Sequence, residues 1–189
     1  MKSIGISIIL AFVFLLTACV PSLNPLYTEQ DLVFDKSILG VWTDDKQTET
    51  WEFVYVDEKE YKLVHTDEDG KKGEFEARLL KIEGKLFLDI APVRSQLGQN
   101  DFYNGHLLST HSFIQVSQEG KTFRLSYLES KWLKQYLEKN PGAVRHTSID
   151  GEILFTDSTK NLQKFIAANL NTPGAFSNTE TFKRKEAAK

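Results

Sequence analysis

Between Ile38 and Leu128 the chain alternates apolar and polar residues in short runs. In TWEFVYV (50–56), Trp51, Phe53 and Tyr55 fall on one side and Glu52, Val54 and Val56 on the other, because successive side chains of an extended strand point to opposite faces. EYKLVHT groups Tyr61, Leu63 and His65 in the same way. In EFEARLLKIE, Phe75, Ala77 and Leu79 oppose Glu74, Glu76 and Arg78, so the charged side is read as facing solvent. With ILGVWTD, LFLDI, LLSTHSFIQVS and TFRLSYL, these runs make seven predicted strands. Glycine-containing turns in TDEDGKKG, EGK and QEGK separate several of them. No helical run lies between the strands, so they are expected to pair as successive antiparallel hairpins. Residues 91–106, APVRSQLGQNDFYNGH, break the alternation and form the longest predicted loop.

After Leu128 the period changes. SKWLKQYLEKNPG places Trp132, Leu133, Tyr136 and Leu137 on one helical face, with Ser130 as its expected cap and Asn140-Pro141-Gly142 as its stop. EILFT (152–156) reads as a short strand. DSTKNLQKFIAANLNTPG reads as a second amphipathic helix, with Leu162, Phe165, Ile166 and Leu170 on one face and Asp157 or Ser158 at its start. SNTETFKRK could return a last strand to the sheet, near 178–184. The expected fold is mainly β: an antiparallel meander closed or nearly closed into a barrel, with two amphipathic helices near the C-terminus. A long meander has two open edges unless it closes or is covered, and about eight strands close into a barrel that is filled or holds one small ligand. An open antiparallel sheet with helices on one face, and a β-sandwich, are the alternatives.

The N-terminus has a different texture. Lys2 precedes thirteen uncharged residues, Ile4 to Leu16, and then Thr17-Ala18-Cys19. The run is short for a membrane span, which takes about 20 residues, and matches a secretory signal. Leu16-Thr17-Ala18-Cys19 resembles the lipobox of bacterial lipoproteins. In that family the signal is removed before the cysteine, which then carries a diacylglycerol thioether and an acylated amine. The resemblance implies a signal peptide over 1–18, a lipidated cysteine and tether over 19–34, and one β-rich domain over 35–189. Val20 follows the cysteine in place of aspartate. The expected location is therefore the cell envelope, at the outer membrane where a cell has two. The tether VPSLNPLYTEQDLVF is expected to become a first loop lying on the domain.

Gly40-Val41-Trp42 at the head of the first strand is similar to the Gly-x-Trp opening of the lipocalins, within the calycin superfamily. The resemblance implies an eight-stranded up-and-down barrel, then a helix, then a strand. It also implies a basic residue of the last strand, Arg184 or Lys183, stacked on Trp42. The chain departs from that pattern in its extra helix at 130–140 and in lacking a Thr-Asp-Tyr-type motif between later strands.

Composition narrows the function. The formal charge is −3, and becomes −4 once Lys2, the only charged residue before Cys19, is removed. This argues against a nucleic-acid partner, which selects a basic patch. Cys19 is the only cysteine, so neither a disulfide nor a thiolate metal site is expected. His65, His106, His111 and His146 show no metal-ligand spacing; His106 and His111, five apart, would face opposite ways on a strand. Glu74, Glu76 and Arg78 are read as a solvent-side ladder. Asp89, between Leu88 and Ile90, is the one carboxylate whose inward placement would require a buried partner; the expectation is outward. No nucleophile elbow, phosphate loop or zinc helix motif occurs, and no cofactor is expected.

The first functional expectation is a membrane-anchored module binding a small apolar ligand such as a fatty acid, with Tyr55, Tyr61, His65, Phe75, His111, Phe113, Phe123 and Tyr127 on the inward wall. The alternative is a non-catalytic structural or interaction lipoprotein whose rings fill the core, its protein partner unspecified. The third is a hydrolase using Asp89 with a histidine, which requires the two within hydrogen-bond reach.

Overall fold

The computed structural model describes residues 20–93 and 100–186; Cys19 and the expected signal segment lie outside them. Eight antiparallel strands close into a barrel in the order β1-β10-β7-β6-β5-β4-β3-β2. The first seven form the expected meander: β1 (Gly40–Thr43), β2 (Thr50–Tyr55), β3 (Tyr61–Thr66), β4 (Lys72–Ile82), β5 (Lys85–Pro92), β6 (Ser112–Glu119) and β7 (Thr122–Tyr127). β10 (Asn178–Arg184) fits between β7 and β1 and is itself the eighth stave. The strand near 178–184, compared above with one that follows a finished barrel, thus completes this one.

The connections alternate between the two ends. The β2–β3, β4–β5 and β6–β7 turns lie at one end, with Gly40 and Arg184; we call this the closed end. The β1–β2, β3–β4 and β5–β6 connections and the excursion from β7 to β10 lie at the other, open end, the β5–β6 connection carrying the one-turn helix α1 (Asp101–Asn104). A 3-10 turn, Lys36–Ile38, precedes β1. There Trp42 Nε1 donates to the Ile38 carbonyl at 2.7 Å, and the Arg184 guanidinium lies 4.2 Å over the Trp42 ring. Arg184 also donates to the carbonyls of Leu39, at 2.7 Å, and Ser37.

β4 shows how the sequence builds two layers. Its first half alternates, with Phe75, Ala77 and Leu79 inward and Glu74, Glu76 and Arg78 outward. In its second half, LLKI, the outward face turns apolar as well, while Lys81 is exposed near the closed end. Leu79 joins the barrel interior, while Leu80 and Ile82 join a second core outside it. That outer core takes Phe87 and Phe113 from β5 and β6. It is covered by α2 (Ser130–Lys139), α3 (Thr159–Asn169) and the strand β9 (Glu152–Phe155). β9 pairs with β8 (His146–Ile149), a strand the periodicity did not predict. The signal for it was Asp150-Gly151, both at positive φ, the residue pair a two-residue hairpin turn demands.

Residues 20–34 do not hang free as a tether. Ser22 exchanges two backbone hydrogen bonds of 2.8 Å with His111, and Leu23 N–H donates to Phe155. Val20 and Leu26 are buried in the outer core. Farther on, Val33 N–H donates to the Leu79 carbonyl at 2.9 Å. The expected first loop therefore lies on the barrel along its whole described length, as part of the domain.

Candidate functional site

The barrel interior is solid through its middle. Trp42, Tyr61, Leu63, Ala77, Leu88 and Phe123 have 0% of their surface accessible. An internal hollow wide enough for a water molecule would leave accessible area on its walls. The rings instead meet one another: Phe123 lies 5.2 Å from Trp42 and 5.7 Å from Phe53, which meets Tyr61 at 6.2 Å. These edge-on and tilted contacts are the arrangement that aromatic quadrupoles favour.

Polar groups gather at the open end. The β1–β2 loop is folded around Asp44, whose Oδ1 accepts the N–H groups of Thr48 and Glu49 at 2.8 and 2.9 Å. This delivers Glu49 to the mouth, where its Oε1 accepts from Trp51 Nε1 and His65 Nε2, both at 2.8 Å. Across the mouth, Tyr127 donates to Glu180 Oε2 at 3.0 Å. The two carboxylates are driven apart. Burial opposes ionisation of Glu49, but its His65 and Trp51 donors outweigh it and hold the pKa below the usual range. Burial dominates at Glu180 and raises its pKa; the Tyr127 hydroxyl opposes the rise and neighbouring Glu49 adds to it. Among the described residues, no group of three or more His, Cys, Asp or Glu side chains could hold a metal ion.

A second polar cluster sits outside the barrel. Asp89 points outward from β5, as expected, yet is only 2% exposed, with the buried Leu26 of the N-terminal segment against it. Its Oδ1 accepts from His111 Nδ1 at 2.6 Å and its Oδ2 from Leu26 N–H at 2.6 Å. Tyr27 presents its ring edge to His111 at 6.4 Å and carries Arg78 over its face at 5.2 Å. Arg78 pairs with Glu60 and Glu76. The carboxylate and histidine of the third expectation are thus in contact. Both Asp89 oxygens are already engaged, one by the imidazole and one by the backbone of the N-terminal segment. The arrangement fastens that segment to β5 and β6.

The eight predicted wall residues separate into three groups. Tyr61, Phe75 and Phe123 lie in the interior. His65 and Tyr127 lie at the mouth. Tyr55, His111 and Phe113 are elsewhere. Tyr55 is 51% exposed at the closed end, its ring edge 5.5 Å from Phe34. Phe113 faces outward and stacks on Phe155 at 6.0 Å. His111 precedes β6 and turns out to Asp89. The parity was misassigned on β6: Ile114 and Val116 fill the barrel, while Phe113, on the face of Gln115 and Ser117, fills the outer core. Glu49 and Glu180 were not predicted. Glu49 lies in a loop, where alternation carries no information. Glu180 shares a face with Phe182 in TETF, a pattern that could have marked it.

No protein-family model, curated protein or solved structure matches the chain.

Proposed function

We propose that the protein is a lipid-anchored component of the cell envelope, held at the membrane through Cys19, whose solid barrel serves as a non-catalytic interaction module. The observation that carries the second half is the absence of accessible area on the rings of the barrel's middle. A container for a fatty acid needs a hollow of several hundred Å3, and these side chains occupy that space themselves. The capture of both Asp89 oxygens supports a fastening role for Asp89 and His111 over an acid-base one. The Arg184–Trp42 stack supports the calycin-type reading of Gly40-Val41-Trp42. The anchor reading rests on Leu16-Thr17-Ala18-Cys19 and the apolar run before it.

A second reading keeps a small apolar ligand, placed across the mouth. It is favoured by the polar atoms of Glu49, His65, Tyr127 and Glu180 standing beside the apolar surfaces of Trp51 and Phe75.

Two measurements test these readings. Replacement Cys19→Ser should move the protein from the membrane pellet to the soluble fraction; retention in the pellet overturns the anchor. Titration of the purified protein with a fluorescent fatty acid should give no saturable signal that natural lipids displace. Saturable, displaceable binding overturns the solid-module reading, and its loss in Tyr127→Phe or His65→Ala would assign the ligand to the mouth.

A further inference from the structure

We propose that the β5–β6 connection carrying Phe102, Tyr103, Leu107 and Leu108 dips into the surface of the same bilayer that holds Cys19, so that the barrel leans on this corner of its open end. This inference rests on the reading of Cys19 as lipidated.

The first support is the loop's surface. Phe102, Tyr103 and Leu108 are 81%, 63% and 77% exposed, and Leu107 is 36% exposed. Residues 102–110, FYNGHLLST, contain no Asp, Glu, Lys or Arg in a chain that is 26% charged. Leucine and phenylalanine partition into the boundary between headgroups and acyl chains, and tyrosine is enriched there.

The second support is the length of the leash. Cys19 is three residues from Ser22, which is paired to His111 by two backbone hydrogen bonds. A chain spans at most 3.3–3.6 Å per residue, so the Cys19 Cα lies within about 11 Å of that of Ser22. Leu108 is three residues from His111 and is bound by the same limit of about 11 Å. Val20 is itself buried, so little slack remains between lipid and domain. A domain held this closely cannot stand clear of the bilayer, and some face of it must meet lipid.

The position of the leash and the local charge together select the face. At the closed end, Val54, Tyr55 and Val56 are also exposed, but that end lies across the barrel from Ser22 and His111, where the leash attaches, and Glu52, Asp57, Glu58 and Glu60 outnumber Lys59 and Lys62 around them. Carboxylates at that density resist entry into a bilayer and are repelled by anionic lipid. Residues 102–110 carry none, although Asp101 precedes them and the β1–β2 and β3–β4 connections of the same end hold Asp44, Asp45, Asp67, Glu68 and Asp69, so the domain tilts onto its β5–β6 corner and keeps those acidic loops in water.

The test uses the lipidated full-length protein in vesicles of phosphatidylethanolamine and phosphatidylglycerol. Thioether formation consumes the thiol of Cys19, so Leu108→Cys and, separately, Val56→Cys each provide a single site for an environment-sensitive fluorophore. Both positions are exposed, so neither replacement disturbs the core. The label at 108 should emit at shorter wavelength than the label at 56, and lipids with a spin label in the acyl chain should quench it about twofold or more. Emission from 108 as water-like as that from 56, in protein that floats with the vesicles, overturns the orientation and leaves the anchor standing. Equal burial of both labels also overturns it. Protein that does not float with vesicles removes the anchor reading and this inference together.

Discussion

The Arg184 guanidinium lies 4.2 Å above the Trp42 indole and donates to the carbonyls of Leu39 and Ser37. One side chain of the last strand thereby caps the first strand's tryptophan and joins the 3-10 turn to the barrel. The ends of the chain's barrel-forming region are locked together at the point where the barrel closes. Replacement Arg184→Met should cost about 2–3 kcal/mol, combining the cation-π contact with two charge-assisted hydrogen bonds. Arg184→Lys should recover only part of this, because an ammonium lacks the planar fork. Urea unfolding of the two variants measures both. A loss below about 0.5 kcal/mol for Met would assign the stack to the surface interactions that contribute little.

Gly40 has φ +109°, and a Cβ there would lie 2.8 Å from Arg184 Nη1. Alanine at this position meets both backbone strain and the side chain that closes the barrel. Gly40→Ala should destabilise by about 3 kcal/mol, more than glycine-to-alanine exchange at exposed turns. In the double variant with Arg184→Met the steric part should vanish, so the two losses should sum to more than the double variant shows. Strict additivity in that cycle would contradict the contact.

Asp157 joins the hairpin of β8 and β9 to α3. Burial opposes its ionisation, but the N–H groups of Arg145 and Ser158, the Asn161 amide and the Arg145 guanidinium outweigh it. Its pKa is therefore far below the usual carboxylate range. A depressed folded-state value gives stability that is fully present above the unfolded value, about pH 4, and is lost as pH falls through the folded one. Wild-type stability should decline below about pH 4 more steeply than that of Asp157→Asn. Thermal melts from pH 7 to pH 2 show the difference, and parallel curves would contradict it.

His111 and Leu26 share the Asp89 carboxylate. Replacement His111→Ala removes the donor from one oxygen of a buried charge, which costs about 3 kcal/mol when no other partner replaces it. The effect should be local as well as global. Amide exchange at Ser22 and Leu26 should accelerate more than at Leu63 or Leu125, inside the barrel. Uniform acceleration would mean that the segment and the barrel open as one unit.

Much of the strand framework was legible in the sequence, for a physical reason visible in β4. Where one face meets water and the other meets the core, the chain alternates, and Phe75, Ala77 and Leu79 against Glu74, Glu76 and Arg78 state the register directly. The helices were legible on the same ground: Leu133 and Leu137, like Leu162 and Ile166, recur at helical spacing and are buried. The basic partner for Trp42 was among two named residues, and Arg184 occupies that place.

The sequence by itself determined that this chain would form a meander of hairpins with two amphipathic helices to cover apolar surface, because local alternation and periodicity are written residue by residue. Only the tertiary structure decided which apolar face is inside. On β6, Phe113 shares the outward face with Gln115, Ser117 and Glu119, yet it is buried because the outer core covers that end of the strand, while Ile114 and Val116 fill the barrel. It also decided that Asp89, outward on its strand, is nevertheless buried under Leu26 and joined to His111. Those contacts unite positions 63 and 22 residues apart, and the energy that selects them arises when the N-terminal segment folds over the barrel wall.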